Sequence, residues 1–195
     1  MSNGITVIKR NGDKDSLNLE KVHKMVEHAC EGLAGVSASQ VEISSGIQFF
    51  DGIKTSQIQE ILVKSASDLI SLDNPNYQYV ASRLLLFDLR KQLNNHYEDH
   101  PFILDHVKKC ADLDVYDKTI IEKYTEEEWK QIDSYIDYGR DYLFSYAGMR
   151  QVVDKYLVQD RSSGELYETP QQMYIMIAAT LFQEYPQETR LDYVR

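Results

Sequence analysis

The stretch at residues 7–22, VIKRNGDKDSLNLEKV, constrains the fold more than any other part of the chain. Asn11-Gly12 is a dipeptide typical of a tight β-hairpin turn, and Asn18 is a preferred residue type for the N-cap of a helix. The pattern predicts strands over residues 5–10 and 14–17, followed directly by a helix. Because an isolated two-stranded hairpin is only marginally stable in water, this hairpin must pack against helices.

Apolar residues at helical spacing predict four helices in the first half of the chain. The first runs from Asn18 to Gly32 or Gly35, and the second covers residues 37–50, with Ile47 on its apolar side. The third begins at Thr55, a candidate N-cap, and the fourth follows the break at residues 73–75. The first half is therefore predicted to be a β-hairpin on a four-helix bundle.

The second half is also predicted to be mainly α-helical. Thr125 and Glu128 have the spacing of a capping box, and Thr169-Pro170 predicts another helix start. An apolar helix is expected near residues 145–156, and a second short hairpin over 156–168, with Ser163-Gly164 in its turn. Residues 190–195 are expected to be helical. The polar stretch NNHYEDHP at 94–101 predicts a domain boundary, which gives domains at 1–95 and 96–195.

The charge distribution excludes some classes of partner. Residues 1–97 hold 10 Lys and Arg against 11 Asp and Glu, whereas residues 98–195 hold 11 against 20. This acidic balance argues against nucleic-acid binding, which needs a basic surface. No apolar run is long enough to span a membrane, and no secretory signal is present. Cys30 and Cys110 lack the spacing of a metal site, so we expect free thiols and a cytoplasmic protein.

The cations near the hairpin predict a binding site. Lys9 and Arg10 end a strand, Lys21 lies in the first helical turn, and the N–H groups of residues 18–21 are expected to be unpaired. A helix N-terminus with nearby cations is suited to phosphate. Thr55 and Lys91 supply further polar groups, so four segments could converge on one polyphosphate. The alternative is that these cations are merely solvated on the surface.

No catalytic or metal-binding residues are predicted. His96 and His100 are four residues apart, as helical metal ligands are, but Pro101 follows at once and no third ligand is near. The sequence shows no Ser/His/Asp or Cys/His arrangement that would support nucleophilic catalysis.

Several segments together resemble the N-terminal part of the large (alpha) subunit of class I ribonucleotide reductases, of the aerobic bacterial and phage type. Residues 1–95 resemble the ATP cone, a regulatory nucleotide-binding module, and residues from about 100 onward resemble the helical region before the catalytic barrel. The resemblance covers the whole chain, in the family's order: VIKRNGDKDSLNLEKVHK, FFDGIKTSQIQEILVKSASDLIS, DNPNYQYVASRLLLFDLRK, YTEEEWKQID, FSYAGMRQVVDKYLVQDRSSGELYETPQQMYIM and YPQETRLDYVR.

The resemblance implies that the cone binds ATP as activator or dATP as inhibitor, with magnesium, and so controls reduction of ribonucleotides to deoxyribonucleotides for DNA synthesis. It implies as partners the rest of the large subunit, the small (beta) subunit and further copies of the large subunit. The cations would contact phosphates, and the apolar members would enclose the base. The residues carried over by position are Val7, Lys9, Arg10, Asp15, Ser16, Leu17, Asn18, Glu20, Lys21, Thr55, Ile58 and Lys91.

The family's catalytic cysteines lie beyond the region that this chain matches, and Cys30 and Cys110 are not in matching contexts. The chain is therefore expected to be inactive alone, and to be either a recombinant fragment or one piece of a naturally divided subunit. Two alternatives stay open: a stand-alone ATP-cone regulator, against which the missing CxxC pairs count, and a helical interaction module.

The chain departs from the family near the predicted sugar site. Gln59 and Asp88 stand where bacterial members often have histidines, and Gln57 stands where they have an acid. Asp88 is expected to repel phosphate or to pair with Lys91, one turn further along the helix. We expect weak discrimination between dATP and ATP; the alternative is that Gln59 and Asp88 replace the histidine contacts.

Overall fold

The computed structural model describes residues 5–46 and 48–195 and divides the chain into two units. Unit 1 comprises residues 1–88 and 142–150, and unit 2 comprises residues 89–141 and 151–195. Ile47, which the apolar pattern assigns to the second helix, lies outside the described residues. No helix within the described part of the chain is long and apolar enough to cross a membrane.

The predicted hairpin is confirmed. Strands β1 (Thr6–Ile8) and β2 (Lys14–Ser16) pair antiparallel, and the Lys9 N–H donates to the Asp13 carbonyl at 2.8 Å across the loop. Gly12 has a φ of +89°, which favours glycine at this turn. A third strand, β3 (Ile53–Lys54), pairs parallel to β1 and was not predicted. Two residues are too few to produce a recognisable strand pattern.

Four helices follow the hairpin, as predicted: α1 (Leu19–Cys30), α2 (Ala38–Gly46), α3 (Thr55–Asp68) and α4 (Tyr77–Asn94). The prediction that α2 extends to residue 50 is wrong, because the helix ends in the weak helix formers of the Ser-Ser-Gly sequence at 44–46. The core of unit 1 contains Val26, Val41, Ile53, Leu62, Val80, Leu84 and Phe87, all fully buried.

The prediction that Thr55 caps α3 is also wrong. Lys54 holds the N-cap position in an extended conformation, because it is part of β3, and Thr55 is the first helical residue. The Gln57 side chain accepts a hydrogen bond from the Lys54 N–H at 3.0 Å. The start of α3 is therefore held by the third strand and by a glutamine.

Unit 2 is helical, as expected. Its helices are α5 (Ile103–Asp112), α6 (Thr119–Lys123), α7 (Glu126–Ser134), α9 (Pro170–Phe182) and α10 (Gln187–Val194). A 3₁₀ helix (Tyr138–Leu143) leads out of unit 2, α8 (Tyr146–Gln151) lies almost entirely in unit 1, and a π-helical turn (Val152–Tyr156) begins the second segment of unit 2. The core includes Ile103, Val107, Trp129, Ile132 and Ala179.

The predicted helix starts in unit 2 are confirmed. The Thr125 N–H donates to the Glu128 carboxylate at 2.8 Å, and the Glu128 N–H donates to Thr125 Oγ1 at 3.2 Å, as a capping box requires. Thr169 is the N-cap of α9, and Pro170 is its first residue. The predicted second hairpin is reduced to a single antiparallel bridge between Gln159 and Leu166.

Candidate nucleotide site

The three-stranded sheet brings the predicted site segments of unit 1 together. Val7 lies opposite Asp15 in β2 and beside Ile53 in β3. Thr55 begins α3 immediately after β3, so the start of this helix lies at the edge of the sheet. The Leu17 N–H donates to the Ile5 carbonyl at 2.8 Å, which fixes the segment leading into α1. The hairpin and the starts of α1 and α3 are therefore neighbours.

The start of α1 is capped from within. Asn18 accepts a hydrogen bond from the Lys21 N–H at 3.0 Å through its side-chain oxygen. The prediction of unpaired N–H groups throughout residues 18–21 is therefore wrong for Lys21, because the cap residue satisfies it. Glu20 pairs with Lys24 one turn along the helix, at 2.9 Å. The Ser16 N–H donates to Asp15 Oδ1 at 2.8 Å.

Lys9 is paired within the hairpin. Its ammonium lies 2.7 Å from the Asp15 carboxylate, and both side chains are about half exposed, at 48% and 52%. The hydrogen bond between them is the main reason that the pKa of Asp15 is lowered and the pKa of Lys9 is raised. Both groups are thus held in their charged forms, and solvent reaches both.

Arg10 is paired across the fold. Its guanidinium donates to the carboxylate of Asp88, which lies on α4, 78 residues later in the chain. The side chains are 33% and 14% exposed, so this pair is less accessible than the Lys9–Asp15 pair. The spacing of Asp88 and Lys91 along the helix suggested Lys91 as the partner of Asp88, whereas the structure pairs Asp88 with Arg10. Lys91 lies further along α4, in the part assigned to unit 2, with its ammonium 5.2 Å from the centre of the Tyr97 ring.

The apolar residues predicted to enclose a base lie at different depths. Val7 and Ile58 are buried, at 4% and 5% exposure, whereas Leu17 is partly exposed. Val7 and Ile58 therefore belong to the packed layer beneath the surface, and Leu17 is the member that solvent reaches. Thr55 is also partly exposed.

The two glutamines that depart from the family pattern bond to backbone groups. The Gln57 side-chain oxygen accepts a hydrogen bond from the Lys54 N–H at the start of α3. Gln59 is buried, at 3% exposure, and its amide donates to the Leu84 carbonyl on α4 at 2.9 Å. Both side chains therefore have structural partners within unit 1.

The groups that could carry other chemistry are dispersed. Cys30 and Cys110 are free cysteines, and burial raises the pKa of each thiol to about 11, which disfavours the reactive thiolate. His96 and His100 lie beyond the end of α4, in a non-helical stretch. No group of three or more metal-ligating side chains occurs within residues 5–46 and 48–195.

Two known families match separate parts of the chain. Residues 5–92 match the ATP cone domain, and residues 142–195 match the all-alpha domain of ribonucleotide reductase. The chain is therefore an ATP-cone protein of the ribonucleotide reductase class, and the first match contains the hairpin, Lys9, Arg10 and Asp88.

Individual relatives define the family more closely. The whole chain is 51% identical to ribonucleoside-diphosphate reductase 1 subunit alpha of Escherichia coli and 49% identical to the subunit alpha of Haemophilus influenzae, covering 26% of each protein. It is also 39% identical to the ribonucleoside-diphosphate reductase subunit alpha of enterobacteria phage T4. That match covers 97% of this chain and 25% of the phage protein. The chain belongs to this alpha-subunit family, corresponds to its N-terminal region and spans about a quarter of the length of these relatives.

Proposed function

We propose that the ATP-cone region, residues 5–92, binds ATP or dATP and that the chain is the allosteric part of an alpha subunit that reduces ribonucleoside diphosphates. The observation that carries this proposal is the ATP-cone match over residues 5–92, which contains the paired hairpin cations. Lys9 and Arg10 suit phosphate oxygens, which accept charge-assisted hydrogen bonds. Leu17 and the partly exposed Thr55 lie on the neighbouring segments.

Magnesium would reach this site as a complex with the nucleotide. The carboxylates of Asp15 and Asp88 are the oxygen donors that this ion prefers, but both are paired with hairpin cations in the structure. We therefore assign the phosphate contacts to this chain's cations and no magnesium ligand to its own side chains. The nucleotide would bring the ion with it.

Calorimetric titration of the chain with magnesium-ATP tests this assignment. Losing one charge-assisted contact costs roughly 1.5–3 kcal/mol, or about 10- to 100-fold in affinity. We expect this loss in Lys9→Ala and in Lys91→Ala. Lys91 is included because the family resemblance predicts it as a site residue. Lys64→Ala is the matched control, because Lys64 pairs with Asp68 one turn along α3 and is not among the predicted site residues. Unchanged ATP affinity in both site variants would refute the assignment.

We further propose that this cone discriminates poorly between ATP and dATP. The two nucleotides differ by one hydroxyl, which only a site built to hydrogen-bond it senses strongly. The Gln57 and Gln59 side chains make backbone hydrogen bonds, which occupy amide groups that could have contacted the sugar. We expect similar dissociation constants for the two nucleotides. Much tighter dATP binding, with full inhibition of the complete enzyme at micromolar dATP, would contradict this.

The catalytic part of the proposal requires the remainder of the alpha subunit, on the same or a separate polypeptide, and a beta subunit. α9 exposes Tyr174, Ile177 and Leu181 beside a cavity of about 420 Å³ in unit 2. Since the relatives are about four times longer, we propose that their remaining part packs on this face. We also propose self-association of the alpha subunit and a cytoplasmic location, which the free thiols support.

An activity assay separates these roles. The purified chain, supplied with a beta subunit and reductant, should not reduce ribonucleoside diphosphates, because its two thiols have raised pKa values and lie in separate units. Turnover by the chain alone would overturn this expectation. Replacing Ile177 and Leu181 with serine should weaken association with the remainder of the alpha subunit while leaving ATP binding to unit 1 unchanged.

A further inference from the structure

The Arg10–Asp88 ion pair connects two distant parts of unit 1. Arg10 lies in the hairpin turn, two residues after the end of β1, and Asp88 lies on α4; the carboxylate of this pair is largely shielded from solvent. The Lys9–Asp15 pair, in contrast, joins two neighbouring strands and is half exposed. Of the two predicted site cations Lys9 and Arg10, it is Arg10 whose charge is balanced by a residue outside the hairpin.

A guanidinium binds carboxylate and phosphate oxygens with the same fork of N–H donors. To bind a phosphate, Arg10 would therefore have to break, at least in part, its hydrogen bond to Asp88. Asp88 also places a negative charge beside any phosphate that reaches Arg10, and like charges at short range repel.

We propose that Asp88 is an internal competitor for Arg10, which a bound nucleotide must displace, and that it thereby determines the affinity of the site. This inference rests on the proposed function. Because the competition concerns the phosphates, which ATP and dATP share, Asp88 should weaken the binding of both by the same factor. Displacement would also release the hairpin from α4, so that nucleotide binding is coupled to the contact between these two elements.

The test is calorimetric titration of the full chain with magnesium-ATP and magnesium-dATP. In Asp88→Asn we expect both nucleotides to bind about tenfold more tightly, since an opposing ion pair and a like charge are both removed. Asp68→Asn is the matched control: it removes one charge from the exposed Lys64–Asp68 pair on α3, outside the predicted site, and should change affinity less than twofold. Asp88→Ala gives a second measurement if the asparagine forms a new contact.

The double variant Arg10→Ala/Asp88→Asn shows whether the effect passes through Arg10. We expect Asp88→Asn to improve affinity much less in the Arg10→Ala background than in the unaltered chain. Equal gains in the two backgrounds, or unchanged or weaker binding in both Asp88 variants while the unaltered chain binds ATP, would overturn the inference and leave the proposed function standing. Absence of ATP binding in the unaltered chain and in every variant would overturn both. Circular dichroism melting of each variant confirms that it is folded.

Discussion

The two hairpin ion pairs of unit 1 and the Arg90–Asp141 pair of unit 2 lie in opposite environments. In unit 1, Lys9–Asp15 is half exposed and Arg10–Asp88 is partly exposed. In unit 2, Arg90 and Asp141 are 2% and 0% exposed, and the Arg90 guanidinium also donates to the Tyr138 carbonyl at 2.9 Å. The same chemical pair therefore lies within reach of solvent and ligands in one unit and inside the packed interior in the other.

This difference indicates what each pair can do. Exposed pairs contribute little to stability, because water solvates the separated charges nearly as well, so their cations can exchange one anion for another. A buried pair cannot exchange partners, because an uncompensated charge in the interior is strongly unfavourable. We therefore assign ligand binding to the Lys9 and Arg10 pairs of unit 1 and a structural role to the Arg90–Asp141 pair of unit 2.

The largest expected effect is on the buried pair of unit 2. Asp141→Ala leaves the Arg90 charge without its carboxylate and should lower the free energy of unfolding by about 3–5 kcal/mol. Urea unfolding measures the change, and Asp15→Ala, which removes a carboxylate from an exposed pair, should cost much less. Equal losses in the two variants would remove the distinction between these two pairs.

The second effect is on the pH dependence of stability. Burial, and then the charge of Lys109, lowers the pKa of His106 in unit 2 to about 4, below its unfolded value of 6.5. Between these values the unfolded state binds the proton and the folded state does not, so stability falls as the pH is lowered, by up to about 3 kcal/mol. Thermal melting from pH 7 to 4.5 should show a smaller loss in His106→Gln than in the unaltered chain.

His23 in unit 1 should behave in the opposite way. Its hydrogen bond to Glu42 on α2, at 2.7 Å, is the main reason that its pKa is raised. Its contribution to stability is therefore fully present below pH 6.5 and is lost as the pH rises through the higher folded value. His23→Gln should therefore steepen the loss of stability on acidification. A shallower dependence of stability on pH in this variant would contradict the opposite roles of His23 and His106.

The third effect compares the helix caps of the two units. Thr125 and Asn18 cap α7 and α1 in the two units, and replacing either with alanine should cost about 1 kcal/mol. Only Asn18→Ala should also weaken ATP binding, because it alters the predicted site. Chemical unfolding and calorimetry on the same samples distinguish the two variants; parallel losses of ATP affinity would argue against assigning nucleotide binding to unit 1 alone.

The smallest expected effect on stability is that of Lys9→Ala. Because the Lys9–Asp15 pair is half exposed, its loss should change the free energy of unfolding less than the loss of either helix cap does. The same variant should lose 10- to 100-fold in ATP affinity. A large loss of stability would show that this pair is structural.

Local sequence patterns determined the elements of this protein and the family to which it belongs. Asn11-Gly12, Asn18, the Thr125–Glu128 box and Thr169-Pro170 marked the turn and the helix starts, because each acts through neighbouring backbone groups. The short strand β3 and the early end of α2 were not predicted, since their signals are weak or depend on distant pairing. The residues that make up the candidate site remain a prediction from the family resemblance.

Only the tertiary structure decided which partners these residues take. The sequence alone identified Lys9 and Arg10 as cations and Asp88 as a departure from the family, but it suggested Lys91 as the partner of Asp88 and did not suggest Arg10. The burial of Gln59 against α4 likewise depends on how helices pack. Turns and caps are set within a few residues of chain, whereas an ion pair across 78 residues exists only after the core has brought its elements together.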